Sequence, residues 1–279
     1  MTSCRTDLAL EEAQNQKDNL PPGVSVTAQP LEKSTFTVVE ITTPQAARQL
    51  KKPQGVYLTL EQKPIWKDSA DSPRDMEAAA AGLRSLLPQE GLVLVVGLGN
   101  REITPDALGP AAAGQVVATR HISGEVAEAT GLTGLRPVAC TVPNVLGKTG
   151  VEAAEAVKAL VHCLNPAAVI AIDAFAAGEI SRLGTTIQIA NTGISPGSGV
   201  LNARKELCAA TLGVPVVSIG IPTVVDLGSL SSQKGAAGMM ITPREIDLLI
   251  SRGARALSLM INRALQPTLS LEDLAFLSA

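Results

Sequence analysis

Two aspartates stand where apolar, strand-like runs give out. Asp106 lies in VVGLGNREITPDALGP, past a run that ends at Gly97, and Asp173 follows the apolar residues of VIAIDAFAAG directly. An acid at such a place is costly to bury unless it is paired or used. In open α/β sheets, reacting groups collect at the carboxyl ends of the strands. Two carboxylates brought close share one proton, because both cannot ionise cheaply at short range. One can then activate water while the other protonates a leaving group. Plainer assignments compete with this one. Asp106 also suits the first turn of a helix behind Pro105, and Asp173 also suits an N-cap after a strand.

Weaker candidates surround the pair. The turn Gly97-Leu98-Gly99-Asn100 lacks the third glycine of a dinucleotide fingerprint; Glu102 stands in its place and would repel a pyrophosphate. Its glycines therefore read as a tight turn with close backbone approach, and Asn100 as a residue that could orient a substrate. The stretch NTGISPGSGV, Asn191–Val200, is rich in turn residues. Its backbone N–H groups could face a peptide or an oxyanion, which makes Asn191, Ser195 and Gly197 candidates for substrate contact. Ser195 and Ser198 are poor nucleophiles, since neither His121 nor His162 has an identifiable relation to them. Asp226 is a third acid after an apolar run and suits a cap or a pocket equally.

These residues need a scaffold of strands and helices. Phe36–Ile41 and Val56–Leu60 have the β-branched, alternating character of strands. Leu92–Val96, Val138–Val142, Ala168–Ile172, Thr185–Ile189 and Val214–Ile219 are short apolar runs suited to a buried sheet. Between them, Asp75–Leu87, Leu108–Arg120, Gly150–Cys163 and Pro243–Ala264 read as helices. Thr242 and Glu245 form a capping-box pattern before the last of these. The alternation predicts a three-layer α/β/α fold with a mostly parallel central sheet, of the phosphorylase/hydrolase-like kind. Residues 1–30 read as a flexible N-terminal arm and 31–279 as a single α/β domain.

Bulk properties narrow the function. The chain has 279 residues, 46% hydrophobic and 18% charged, with a net charge of −3. No basic patch marks it for direct nucleic-acid binding, and its five aromatics are too scattered to stack bases. No apolar run is long enough to span a membrane, and the start of the chain lacks a signal-like apolar region. The four cysteines show no C-x-x-C spacing and read as reduced thiols of a cytoplasmic protein.

Nine blocks carry a resemblance. In order, they are CRTDLALE, VYLTLE, VVGLGNREITPDALGP, TRHI, GLRPVACTVPNVLGKTG, VIAIDAFAA, TTIQIANTGISPGSGVLNARKEL, GVPVVSIGIPTVVD and MMITPREIDLLI. From Arg5 to about Ile250 the chain resembles the germination (spore) protease family of endospore-forming bacteria, as a short variant. It is more distantly similar to hydrogenase maturation peptidases. The resemblance implies an endopeptidase that degrades small acid-soluble spore proteins during germination in the forespore or spore core. It implies an atypical aspartic mechanism with catalytic residues Asp106 and Asp173 and no cofactor. It also implies a zymogen. Substrates of the family are cut after Glu in a Thr/Ser-Glu-Ile/Phe-Ala-Ser-Glu type of sequence, which Thr6-Asp7-Leu8-Ala9-Leu10-Glu11 imitates. The expected self-cleavage is between Asp7 and Leu8, with residues 1–7 as propeptide. The rival readings are a metal-assisted peptidase using the same acids and a non-catalytic paralogue that binds spore proteins. A homo-oligomer is compatible with all of them.

The sequence departs from the family pattern in several places. The segment 227–239 is short, Ser195 replaces a usual His, and Asn191 replaces a usual Asp. Asn144 and Leu146 stand where Gly and Met are usual.

Overall fold

The computed structural model describes residues 6–16, 19–67, 72–122, 124–195, 205–230 and 239–277. The strands are β1 (Val24–Pro30), β2 (Thr35–Ile41), β3 (Gly55–Glu61), β4 (Val93–Gly97), β5 (Val138–Thr141), β6 (Ala168–Ala177), β7 (Thr186–Ala190), β8 (Val216–Asp226) and β9 (Met240–Ile241). The helices before β6 are α1 (Ala9–Gln14), α2 (Pro44–Leu50), α3 (Pro73–Ser85), α4 (Leu108–Ala113), α5 (Glu125–Thr130), α6 (Leu146–Thr149) and α7 (Ala153–Leu164). After it come α8 (Ala209–Leu212), α9 (Leu227–Leu230), α10 (Ile246–Leu265) and α11 (Leu271–Leu277).

One sheet holds all the described strands, in the order β1-β2-β3-β7-β8-β6-β4-β5, with β9 on β8. The α/β class and the layering are as expected, but parallel pairing is confined to β8-β6-β4-β5. From β7 outward every pairing is antiparallel, so the sheet is mixed. The cause is connectivity. Parallel neighbours need crossovers, whereas antiparallel neighbours can be joined directly, as β1 and β2 are by residues 31–34.

On one face, α3, α4 and α10 cover Ile170, Ile172, Ile187, Ile219 and Ile221. On the other face the cover is divided. Val157 and Val161 of α7 pack on Leu94, Val96, Val169 and Ala171. Leu10 and Ala13 of α1 and Leu50 of α2 pack on Val39, Ile41 and Tyr57. No helix among the described residues is long and apolar enough to cross a membrane.

The stretch 1–30 is therefore not an arm without elements. From Thr6 onward it supplies α1, which closes a layer, and β1, which pairs along its whole length with β2. Two other expectations change. Helix α10 begins at Ile246 without a side-chain cap, because the Thr242 hydroxyl donates to the Thr223 carbonyl instead (2.8 Å). The helix from Leu108 ends at Ala113. Beyond it the chain is drawn onto α10, where the buried Asn262 amide accepts from Val117 N (2.9 Å) and donates to Gln115 O (3.2 Å).

Candidate active site

Asp173 is not a cap. It lies inside β6, which continues to Ala177, and is 6% exposed. Strand β4 pairs with β6 as far as Gly97 opposite Ile172, so Asp173 is the first residue of β6 beyond that partner. On its other side it still pairs with Gly220 of β8. A Cβ on Gly220 would stand 2.4 Å from the Asp173 carbonyl oxygen, so only glycine admits this approach. The Asp173 carboxylate accepts from Ala174 N through Oδ1 (2.9 Å).

Asp106 closes the 3-10 turn Thr104–Asp106, between β4 and α4. Its Oδ2 accepts from Asn100 N (2.8 Å), and the Asn100 side chain accepts from Glu102 N (3.0 Å). Gly99, at φ +113, makes room: a Cβ there would lie 2.1 Å from the Asp106 carbonyl oxygen. The turn is fixed from below, where the Thr223 hydroxyl of β8 donates to Pro105 O (2.8 Å). Leu98 N donates to Ile172 O (2.8 Å), which ties the loop after β4 to β6 next to Asp173. The loop after β4 thus carries Asp106 and the neighbouring strand β6 carries Asp173, and the backbone N–H of Asn100 holds the Asp106 carboxylate.

Beyond β4, the edge of β6 is taken by the N-terminal segment. Asp7 N donates to Ala176 O, and Asp7 Oδ2 accepts from Ala176 N, both at 2.8 Å. The Gln188 amide of β7 donates to Asp7 O (3.0 Å) and accepts from Ala9 N (2.7 Å). Leu8 is wholly buried with Phe175, Ala177, Leu183 and Val225. The Glu11 carboxylate, 3% exposed, accepts from Gly178 N (2.8 Å) and Glu179 N (3.1 Å). Lys52 Nζ donates to Thr6 O (2.7 Å).

Beside this segment opens a cleft of about 310 Å³, lined by Asp7, Lys52, Tyr57, Phe175, Ser195 and Ser218 among others. Burial pushes the Glu11 carboxyl up, against hydrogen bonds from Thr6, Gly178 and Glu179 and the charge of Arg182. Burial pushes the Lys52 ammonium down, against the attraction of Asp7, Glu12 and Glu11. The Tyr57 phenol is pushed up to about 12 by burial, and it donates to Pro53 O (2.7 Å).

The remaining candidates separate. Ser195 lines the cleft. Asn191 does not; its Oδ1 accepts from Val56 N (2.8 Å), so it joins the end of β7 to the start of β3. Gly197 lies outside the described residues, as does the centre of the shortened loop, 231–238. Asp226 ends β8 and accepts from Gly228 N (2.8 Å), a local turn. Asn144 adopts φ +65, a conformation that suits glycine and that asparagine tolerates.

Sequence reasoning missed Lys52 and Gln188. Lys51-Lys52-Pro53 looks like a solvated turn. Gln188 did leave a signal: an amide in the otherwise apolar strand TIQIA calls for a buried partner.

A protein-family profile described as germination protease matches residues 4–236. The chain is 34% identical to a germination protease of Clostridium acetobutylicum over 323 aligned positions, covering 98% of each. It is 38% identical to one of Caldanaerobacter subterraneus subsp. tengcongensis over 313 positions, covering 97% of this chain and 96% of the relative. Against the one of Priestia megaterium it is 42% identical, with 82% and 65% covered. Alignments longer than the 279 residues of this chain mean that these relatives carry extra segments. Among solved structures, a NiFe hydrogenase maturation protease HycI from Thermococcus kodakarensis KOD1 matches with a TM-score of 0.38 and 18% identity. That match covers 64% of this chain and 98% of the other.

Proposed function

Because the chain belongs to the germination protease family, we propose that it is an endopeptidase of atypical aspartic type acting on small acid-soluble spore proteins in the spore core. The observation that carries this reading is Asp173, a buried carboxylate inside β6 beside the loop that holds Asp106. A buried acid is retained at such cost where it is paired or used.

In the reaction the two carboxyls hold one proton between them. The ionised member takes a proton from water as its oxygen attacks the peptide carbonyl carbon. The protonated member gives its proton to the leaving nitrogen as the C–N bond breaks. Asn100 N donates to Asp106 Oδ2 and Ala174 N to Asp173 Oδ1, so backbone holds each acid in place. Self-cleavage between Asp7 and Leu8 belongs to the same reading. The docked segment presents this bond beside β6, three residues beyond Asp173 along the strand.

An intact-mass time course tests it. The chain is mixed with one small acid-soluble spore protein, beside an Asp173→Asn control. Cutting of the substrate after Glu and loss of residues 1–7, both absent from the control, is the expected result. Unchanged masses across pH, with and without divalent metal, would remove the acid-pair reading. Inhibition by a chelator, reversed by metal, would transfer the same acids to a metal-assisted mechanism.

A further inference from the structure

Within the peptidase reading, we propose that the cleft along the β6 edge is the groove for the peptide to be cut, and that Lys52 selects an acidic side chain immediately before the cut bond. The N-terminal segment is the built-in occupant that reveals the groove. It docks on the strand edge: the Asp7 N–H donates to Ala176 O, and the Asp7 carboxylate takes Ala176 N in place of a main-chain carbonyl. These groups are available because β4 stops opposite Ile172, and among the described residues no other strand pairs with that edge of β6 beyond it. Gln188 grips the main chain on either side of Leu8, at Asp7 O and Ala9 N. Such contacts read backbone, so they accept any sequence.

Side-chain selection comes from three places. Phe175, Ala177, Leu183 and Val225 enclose Leu8 and take an apolar residue after the cut bond. The two amides of Gly178 and Glu179 each donate to one oxygen of Glu11, an arrangement that fits a carboxylate and not an amide. At Asp7 the backbone is less discriminating. Ala176 N would donate equally well to the oxygen of an asparagine. What separates the charged from the neutral side chain is a cation; Lys51 and Lys52 both line the cleft with Asp7, and Lys52 is the one whose ammonium donates to the main chain of the docked segment and is attracted by Asp7. Its ammonium is fixed on Thr6 O, one residue away. The groove thus fits acidic-apolar-any-any-acidic peptides, with Lys52 reading the first acid.

The test uses two synthetic peptides that differ only in Glu or Gln before the cut bond. Their kcat/KM values are compared for the full chain and its Lys52→Met variant. A charge-assisted contact predicts that the full chain prefers the Glu peptide by about ten- to a hundredfold. Lys52→Met is expected to bring the ratio close to one, with the Gln peptide also cut more slowly because the contact to the carbonyl two residues before the cut bond is lost. A Glu/Gln ratio that survives Lys52→Met would overturn the proposal. Where Lys52→Met fails to fold, Lys52→Gln takes its place. A chain that cuts neither peptide would defeat the peptidase reading by itself. In that case the affinities of both peptides for Asp173→Asn, with and without Lys52→Met, read the same ratio. Equal affinity for Glu and Gln peptides when Lys52 is present would then overturn the groove assignment.

Discussion

Strands β8, β6, β4 and β5 run parallel, with helices linking β4 to β5 and β5 to β6, whereas β1, β2, β3 and β7 pair antiparallel. The first half carries both aspartates, each held by backbone: Asn100 N on Asp106, Ala174 N on Asp173. The second half supplies long polar side chains, Lys52 and Gln188, that hold a piece of chain against the first. On the proposed reading, one half serves the reaction and the other holds a peptide. Substitutions should therefore fail differently in the two halves.

The largest effect is expected at Asp173. Changing it to Asn should lower peptide cutting by about a hundredfold or more, the usual weight of general acid–base catalysis. Residues 6–16 should stay docked, as limited proteolysis would show. Release of those residues in the same variant would break the division between halves. Next comes Leu8→Ala. Emptying a fully buried leucine site costs about 2–5 kcal/mol. Because the segment can leave by itself, the loss should appear as faster proteolysis of residues 6–16, with a much smaller shift in Tm.

A pH effect comes third. The Glu11 carboxyl is raised by burial, so the docked segment holds a proton more tightly than the free one does. The stabilisation from protonation is full below the ordinary value of 4.5 and is lost as pH rises through the raised folded value. Amide exchange of residues 6–16 should slow on acidification through that window, and Glu11→Gln should flatten the response. The smallest effect is expected at the exposed Lys148–Glu102 ion pair. Lys148→Ala should change stability by less than about 1 kcal/mol. A larger change in chemical denaturation would mean that the loop after β4 needs an outside brace.

The same division explains what the sequence disclosed. Continuous apolar runs such as Leu92–Val96 and Ala168–Ile172 are the mark of strands buried on both faces, so the parallel half was legible along with its acids. The end of β6 was not, because Asp173 and the alanines after it break the β-branched pattern that marks a strand. Strand β1 is exposed at almost every position, so no alternation marks it, and its pairing with β2 alone makes it a strand. Helix α1 has six residues and no side-chain cap, so nothing local announces it; its buried face is defined by β2 and β3, which come later in the chain. Asn191 was a substrate candidate from its loop, and its carbonyl accepts from Val56 N, a second role that the loop composition did not announce. Loop composition cannot tell a polar side chain that faces a ligand from one that ties two strands.

The long central strands have a consequence for how the molecule opens. Strand β6 pairs with β8 over nearly its whole length and with β4 over its first half, so its early amides can exchange with solvent only when the sheet as a whole comes apart. The contacts of Asp7 and Glu11 with Ala176, Gly178 and Glu179 lie past that doubly paired stretch. The segment can therefore peel away as a local event, with no link in the continuous ladder broken. Exposure of this edge leaves the centre of the molecule shut and costs the burial of Leu8, Leu10 and Ala13.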